Sequence, residues 1–129
     1  MTNRELLDMA KAVSENAYSP YSKVRVGAAL ETKSGKIYTG VNVENSSYGG
    51  TICAERTAAV KAVSEGDREF VRIAVAGSIK KLVPCGICRQ FLSEFCDNMV
   101  VLYENEAGDM VETTLAELLP SGFSLKDTF

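Results

Sequence analysis

Cys53-Ala54-Glu55 and Pro84-Cys85-Gly86-Ile87-Cys88 are the two stretches that decide how this chain of 129 residues is organised. A run of good helix formers follows each stretch, so both predict the beginning of a helix. Cysteines at helix N-termini meet free backbone N–H groups and the positive end of the helix dipole, which stabilise a thiolate. The Cys-x-x-Cys spacing also puts its two cysteines about one helical turn apart, within reach of one metal ion.

Three thiolates and a nearby carboxylate match the chemistry of a catalytic zinc ion. Zinc favours thiolate sulfur and usually takes four tetrahedral ligands, so Cys53, Cys85 and Cys88 leave one position open for water. Glu55 follows Cys53 closely enough to act as a general acid and base on that water without binding the metal itself. Because three thiolates give the site a net negative charge, we expect Arg56 to donate hydrogen bonds to ligand sulfur. The two stretches therefore predict a hydrolytic zinc site.

Two other uses of these cysteines remain open. Cys-x-x-Cys alone also suits a thiol–disulfide exchange site, although that motif needs no distant Cys-x-Glu. A purely structural zinc site needs a fourth ligand, and since the chain has no histidine, only Cys96 could supply it. We interpret Cys96, which follows Phe95 and has no partner at ligand spacing, as a buried inert cysteine.

The pattern around the two motifs predicts a three-layer α/β/α sandwich in a single domain spanning residues 1–129. The expected elements, in chain order, are an amphipathic helix capped by Thr2, a hairpin of strands at 24–30 and 36–43, a helix from Cys53, a strand near 71–76, a helix from Gly86, strands near 99–103 and 110–113, and a helical turn at 115–119. A hairpin followed by alternating helices and strands favours a mixed sheet of roughly five strands with helices on both faces.

Composition and charge argue against several classes of protein. With 46% hydrophobic residues, the chain is long enough to bury a core as one domain. A net charge of −3 without clustered basic residues argues against a nucleic-acid groove. No apolar run approaches the roughly 20 residues that span a bilayer, and the N-terminus lacks the pattern of a signal peptide. Together with cysteines expected to be free or metal-bound, these features predict a cytoplasmic protein that binds neither nucleic acid nor membrane.

Asn42 and Glu44 are candidate sugar-binding residues. The two side chains share one face if the strand continues through position 44, and an amide beside a carboxylate could bind a sugar diol. The alternative is that they belong to a solvated strand face or cap a loop.

Six stretches, in order along nearly the whole chain, match the pattern of a known family. They are Tyr18-Ser19-Pro20-Tyr21-Ser22-Lys23, Val26-Gly27-Ala28-Ala29-Leu30, Gly40-Val41-Asn42-Val43-Glu44-Asn45, Cys53-Ala54-Glu55-Arg56-Thr57-Ala58, Pro84-Cys85-Gly86-x-Cys88-Arg89-Gln90 and Leu118-Leu119-Pro120-x-x-Phe123. With them the chain resembles the small homotetrameric cytidine deaminases, which belong to the zinc-dependent nucleoside and nucleobase deaminases, whose motif joins His- or Cys-x-Glu to Pro-Cys-x-x-Cys. The resemblance implies the layered cytidine deaminase-like fold.

The resemblance also implies a reaction: hydrolytic deamination of cytidine and deoxycytidine, with release of ammonia, as a step of pyrimidine salvage. Cys53, Cys85 and Cys88 would hold one zinc ion per subunit. Glu55 would take a proton from the water and deliver it to N3 of cytosine, and would then help to protonate the departing amine.

Substrate contacts and assembly are implied in the same way. Asn42 and Glu44 would hydrogen-bond the ribose, mainly its 3′-hydroxyl, and the backbone at Ala54 would hold the base carbonyl. Phe123 would reach over the pyrimidine from a neighbouring subunit of a homotetramer, and Tyr48 would belong to the same intersubunit region. Each active site would thus be incomplete in a monomer.

Val24 departs from the family pattern, which usually has an aromatic residue at this place that stacks on the base. Stacking on an aromatic ring contributes about 1–3 kcal/mol per base, so valine should weaken pyrimidine binding or accommodate a bulkier base. Blasticidin-type deaminases, which act on cytosine carried by a modified sugar, are the nearest alternative, whereas Glu44 suits a plain ribose. A zinc-stabilised binding module without catalysis is disfavoured by Glu55, and a deaminase of polynucleotide bases is disfavoured by the acidic charge.

Overall fold

A mixed five-stranded sheet forms the centre of the molecule in a computed structural model that describes residues 1–127. The strands are β1 (Val26–Thr32), β2 (Ile37–Val41), β3 (Phe70–Gly77), β4 (Val100–Glu104) and β5 (Met110–Thr114). Their order is β2-β1-β3-β4-β5, with β3 and β4 parallel and the other neighbours antiparallel. The helices are α1 (Asn3–Val13), α2 (Ala54–Ser64), α3 (Gly86–Ser93) and α4 (Leu115–Leu118).

Helices cover both faces of this sheet. On one face α1 meets β1, β3 and β4 through the buried side chains of Leu6, Leu7, Ala10, Ala29, Ala74 and Leu102. On the other face α2 and α3 meet the sheet through the buried side chains of Ala58, Ala62, Leu92, Leu30, Ile73 and Val101. The predicted three-layer arrangement is therefore confirmed. None of the helices in the described part of the chain is long and apolar enough to cross a membrane.

Helix α1 begins where the sequence predicts, after Thr2. The Thr2 hydroxyl accepts a hydrogen bond from the Glu5 backbone N–H at 3.1 Å, and the Glu5 carboxylate accepts one from the Thr2 backbone N–H at 2.9 Å. This reciprocal pair satisfies two backbone donors that a helix start otherwise leaves unpaired.

Gly40 of β2 allows α2 to approach the sheet closely. A Cβ atom at this position would lie 2.4 Å from the Ala58 nitrogen and 2.5 Å from the Ala54 carbonyl oxygen, so only glycine fits. Ala54 and Ala58 are themselves fully buried in this contact. The small residues therefore fix the height above the sheet at which α2 begins, and with it the positions of the residues in its first turn.

Strand β2 ends at Val41, earlier than the predicted 36–43, and β1 begins at Val26 rather than at 24. The Asn42 side chain explains both differences, because its amide bonds the backbone at Val24 and Val26 in place of a strand neighbour. Beyond this point Val43 forms only isolated bridges with Tyr18 and Ile52. Asn42 and Glu44 thus lie on a loop, so the condition under which their side chains would share a strand face is not met.

Asp67, just after α2, ties that helix to the hairpin of β1 and β2. Its Oδ2 accepts hydrogen bonds from the Thr32 hydroxyl at 2.6 Å, the Ser34 hydroxyl at 2.7 Å and the Tyr38 hydroxyl at 3.2 Å. These bonds, the one from Thr32 above all, lower the pKa of the Asp67 carboxyl. The ionised carboxylate is therefore the form that the fold favours.

Replacing Asp67 by Asn should lower the melting temperature at pH 7, since the amide is a weaker acceptor for three hydroxyl groups. The folded-state pKa of Asp67 lies below the unfolded-state value, so the stabilisation is present above pH of about 4. It is lost as the pH falls through the folded-state pKa. Calorimetry between pH of about 7 and 3 should show that the difference in melting temperature between the wild type and Asp67→Asn shrinks as the pH falls. A difference that does not depend on pH would contradict an ionic origin. Asp109→Asn, at an exposed turn, serves as the control.

Candidate active site

Helices α2 and α3 begin side by side, each directly after a cysteine. Cys53 is the N-cap residue of α2 and Cys85 is that of α3, as predicted. The Sγ atoms of Cys53 and Cys85 lie 3.8 Å apart, and those of Cys85 and Cys88 lie 3.3 Å apart. All three sulfurs lie within 4.8 Å of one another, although Cys53 is far from the other two in sequence.

The spacing of the three sulfurs fits a tetrahedral zinc ion. Zinc–sulfur bonds of about 2.3 Å in a tetrahedron place two ligand sulfurs about 3.8 Å apart. Three thiolates this close repel one another, so the cluster needs a cation among them to carry three negative charges. Thiolate donors favour zinc over magnesium or calcium. Zinc is thus the metal that this donor set suits.

Cys96 takes no part in the cluster. Its Sγ donates to the Leu92 carbonyl oxygen at 3.6 Å, and burial raises the pKa of the Cys96 thiol to about 11. Within residues 1–127, the one group of three or more side chains spaced to hold a metal consists of Cys53, Cys85 and Cys88. A structural zinc with four cysteine ligands is therefore not what the fold assembles.

Arg56 lies beside the sulfur cluster. Its Nη2 is 3.6 Å from the Cys53 sulfur, and this hydrogen bond is the main cause that raises the pKa of the Arg56 guanidinium. A hydrogen bond from the Cys88 thiol is the main cause that lowers the pKa of Cys53 to about 5, and a hydrogen bond from Arg56 lowers it further. The hydrogen bond between Cys88 and Cys53 also raises the pKa of Cys88. Hydrogen bonds from a neighbouring thiol and from the Arg56 guanidinium thus favour the thiolate form of Cys53.

Glu55 is a buried carboxylic acid in the first turn of α2. Only 4% of its surface is exposed, and this burial raises the pKa of Glu55 to about 7. A carboxyl group with this pKa can gain or lose a proton at neutral pH, which is what a general acid and base must do.

A cavity of about 290 Å³ opens beside Glu55 and the cysteines. Its walls are mainly aliphatic, with a few polar groups and, in the described part of the chain, no aromatic ring. The lining residues are Ser22, Val24, Val26, Asn42, Glu44, Thr51, Ile52, Cys53, Ala54, Glu55, Val75, Leu82, Val83 and Cys85. A concave apolar site with a few convergent polar groups is the usual form of a small-molecule site. Four of the six residues predicted to contact substrate or transfer a proton line this cavity, and they come from two separate segments of the chain: Asn42 and Glu44 from one, Ala54 and Glu55 from the other.

Asn42 is buried at the wall of the cavity, and both ends of its amide bond the backbone. Its Oδ1 accepts from the Val26 N–H at 2.9 Å, and its Nδ2 donates to the Val24 carbonyl oxygen at 2.9 Å. An amide has two N–H donors and an oxygen with two lone pairs, so one donor stays free for a ligand.

Glu44 bonds the turn that precedes Val24. Its Oε1 accepts from the backbone N–H groups of Tyr21 at 2.9 Å and Ser22 at 3.2 Å, and its Oε2 accepts from the Ser22 hydroxyl at 2.5 Å. The Ser22 hydroxyl is the main cause that lowers the pKa of Glu44. The carboxylate is therefore held ionised at the rim of the cavity.

Tyr48 and Phe123 lie outside the cavity of their own chain. They are 82% and 68% exposed, and neither is among the lining residues. The backbone of Phe123 is nevertheless held, because Gln90 of α3 donates to its carbonyl oxygen at 2.8 Å and accepts from its N–H at 3.4 Å. Both aromatic side chains are therefore accessible to another molecule.

Sequence reasoning missed several residues that shape the site. Ser22, Leu82 and Val83 line the cavity, and Gln90 anchors Phe123. A signal existed for the apolar pair, since Leu82 and Val83 directly precede the Pro84 motif. The partners of Ser22 and Gln90 lie more than 20 residues away, and no local pattern indicates them.

Comparison with known proteins gives consistent results. The family described as "Cytidine and deoxycytidylate deaminase zinc-binding region" matches residues 1–104. The cytidine deaminase of Sporosarcina psychrophila is 50% identical over 129 residues, covering 98% of this chain and 95% of that protein. The blasticidin-S deaminase of Bacillus cereus is 35% identical over 125 residues, covering 88% of this chain and 89% of that protein. The crystal structure of cytidine deaminase from Burkholderia pseudomallei is 46% identical, with a TM-score of 0.88 over 95% of this chain and 100% of that chain.

Replacing Cys85 by Ser should abolish zinc binding while keeping the fold, because serine is a good N-cap residue for α3 but a poor zinc ligand. Elemental analysis of the purified protein should show about one zinc per chain in the wild type and close to none in Cys85→Ser. The matched control, Cys96→Ser, should retain zinc. Loss of zinc from the control would revive the four-cysteine structural site.

Proposed function

The chain belongs to the zinc-dependent cytidine and deoxycytidylate deaminase family, and we propose that it hydrolyses cytidine to uridine and ammonia. The observation that carries this proposal is a buried carboxylic acid with a pKa of about 7, adjacent to a three-sulfur cluster at the wall of an apolar cavity. Deoxycytidine is proposed as a second substrate, since it shares the base and the 3′-hydroxyl. Residues 1–129 are proposed to form a single catalytic domain.

Zinc is the cofactor, and Cys53, Cys85 and Cys88 would hold it, one ion per subunit. When bound, zinc acts as a Lewis acid and can lower the pKa of water from about 15.7 to about 7. Three thiolates donate negative charge to zinc and so weaken it as a Lewis acid. Arg56 donates a hydrogen bond to the Cys53 sulfur and offsets part of this charge, which reduces the weakening.

Glu55 is the proposed proton carrier of the reaction. Its carboxylate takes a proton from the attacking water and delivers it to N3 of cytosine, while the water oxygen forms a bond to C4. The second proton of that water passes through Glu55 to the exocyclic amine. The bond between C4 and the amine then breaks, and ammonia and uridine are the products. The pKa of Glu55 near 7 suits both transfers at neutral pH.

Asn42, Glu44 and Ala54 are the proposed substrate contacts. The free donor of Asn42 and a remaining lone pair of the Glu44 carboxylate can meet the ribose 3′-hydroxyl as donor and acceptor. The backbone N–H of Ala54, in the first turn of α2, is proposed to hold the base carbonyl. The aliphatic walls bury the faces of the base.

A blasticidin-type nucleoside is the second candidate substrate. Val24 lines the cavity, and none of the lining residues within 1–127 is aromatic, so a bulkier cytosine derivative has room that a stacking ring would occupy. The similarity to a blasticidin-S deaminase supports this candidate, at lower identity than the similarity to cytidine deaminases.

The protein is proposed to act as a homotetramer in the cytoplasm, in pyrimidine salvage. Exposed Tyr48 and Phe123, both outside the cavity of their own chain, support an assembly in which they complete a neighbour's site. Large exposed aromatic side chains are the residues most enriched at the centres of protein interfaces.

Replacing Glu55 by Gln should lower kcat with cytidine by roughly 10²–10⁴-fold, because the amide cannot carry a proton. Zinc content should stay the same, since Glu55 is not a metal ligand. Turnover is followed as the loss of cytidine absorbance, beside the control Glu65→Gln at the exposed C-terminal end of the same helix. Normal turnover by Glu55→Gln would refute the assigned role.

A wild-type protein that deaminates blasticidin S but not cytidine would favour the second candidate substrate.

Replacing Phe123 by Ala should raise KM for cytidine by about 5–150-fold, corresponding to about 1–3 kcal/mol of lost stacking. Phe123→Ala and Glu55→Gln subunits, mixed and reassembled, should regain activity above the sum of the two separate proteins. In mixed assemblies an intact Glu55 receives an intact Phe123 from its neighbour. No regain, in assemblies shown by analytical ultracentrifugation to be mixed tetramers, would contradict the shared site.

A further inference from the structure

The turn Tyr21-Ser22-Lys23-Val24 forms one wall of the cavity in a strained conformation. Lys23 has a φ of 65°, in the left-handed region that residues with a Cβ atom seldom adopt. Such a conformation persists where surrounding contacts hold it. Val24, the next residue, presents its side chain to the cavity. The position of this wall therefore depends on what anchors the turn.

Ser22 provides the central anchor. Its hydroxyl donates to Oε2 of Glu44 at 2.5 Å and accepts from the backbone N–H of Val24 at 3.1 Å. One oxygen atom thus links the carboxylate to the backbone on the far side of the strained residue. The backbone N–H of Ser22 donates to the other oxygen of the same carboxylate at 3.2 Å.

We propose that Ser22 is a positioning residue for nucleoside binding, which holds the Val24 wall at a fixed distance from Glu44. The proposal rests on the cytidine deaminase function proposed above. In this arrangement Glu44 and Asn42 serve the wall as well as the sugar, because Asn42 anchors the Val24 carbonyl and the Val26 N–H. Ser22 is the one hydroxyl, among the described residues, that bonds both Glu44 and this wall.

Ser22 should therefore affect the binding of the substrate and not the chemical step. In the described part of the chain, the bonds of the Ser22 hydroxyl reach Glu44 and Val24 and do not reach α2 or α3. Loss of the hydroxyl should therefore loosen the wall against which the base lies and leave the proton transfer by Glu55 unchanged. Loss of the Ser22 hydroxyl should therefore raise KM and leave kcat nearly unchanged.

Ser34 offers a matched control in the same protein. Its hydroxyl also donates to a carboxylate, Asp67 at 2.7 Å, and also accepts from the backbone N–H two residues later, that of Lys36 at 3.4 Å. This second serine lies at the turn between β1 and β2 and is not among the residues lining the cavity. Ser34→Ala removes the same kind of bonds without touching the proposed wall.

The test compares Ser22→Ala, Ser22→Thr and Ser34→Ala with the wild type, using cytidine and 3′-deoxycytidine. Ser22→Ala should raise KM about tenfold with both substrates, the size expected for one hydrogen bond to a charged group, and change kcat by less than about twofold. Ser22→Thr should restore much of the affinity, and Ser34→Ala should leave KM unchanged. An unchanged KM in Ser22→Ala, or a rise confined to cytidine, would overturn the proposal, because the latter outcome places the effect at the sugar.

Amide hydrogen exchange of the zinc-loaded protein gives a readout that needs no turnover. Exchange in the segment 21–26 should be faster in Ser22→Ala than in the wild type and unchanged in Ser34→Ala. Equal protection in all three proteins would overturn the proposal even if the wild type deaminates cytidine. A wild type that does not deaminate cytidine would end the proposed function, and the exchange result would still decide whether Ser22 holds the turn.

Discussion

Mutual repulsion of sulfur anions is the constraint on which this structure depends. Three cysteine sulfurs lie within 4.8 Å of one another, and at that distance they can all be ionised only around a cation. Everything adjacent to them is consistent with that requirement. The N-termini of α2 and α3 point their positive ends at the cluster, and the Arg56 guanidinium lies 3.6 Å from one sulfur. Glu55, the one carboxyl group in the first turn of α2, is buried, and its pKa of about 7 leaves it only partly ionised at neutral pH.

The cluster in turn requires that two helices start at the same place, and the sheet supplies that alignment. Helix α2 follows the hairpin and packs closely on β2 where Gly40 leaves room for its backbone. Helix α3 connects the parallel strands β3 and β4, which must be joined by a crossover over one face of the sheet. Both helices cover the same face and are therefore neighbours. Because the buried residues of α2 are mostly small alanines, the helix packs closely, and the cysteines at the two helix starts lie near enough to bind one metal ion.

The cavity wall opposite the metal site is held by polar groups rather than by a strand. Asn42 and Glu44 end the hairpin by bonding the backbone of the 21–26 segment, which keeps the strained turn at Lys23 in place. The same two side chains retain hydrogen-bonding capacity toward the cavity. Shape and polarity of the site are thus produced by one set of contacts, so a change in any of them affects both.

The sequence by itself determined the chemistry and the local structure of this protein. The residue types at Cys53–Arg56 and Pro84–Cys88 indicated zinc chemistry, because ligand preference depends on the side chains themselves. The helix starts after these stretches, the Thr2 cap and the strand pattern could also be predicted, because capping and periodicity depend on residues close together in the chain. The family resemblance supplied the candidate roles of Asn42, Glu44, Ala54, Tyr48 and Phe123.

Only the tertiary structure decided which distant groups meet. It brought Cys53 to the other two sulfurs, ended β2 at Val41, left Phe123 outside its own cavity and joined Ser22 to Glu44. Each of these depends on contacts between segments separated by 16 residues or more. Such contacts follow from how the helices and the sheet pack as a whole, and no local sequence pattern specifies them.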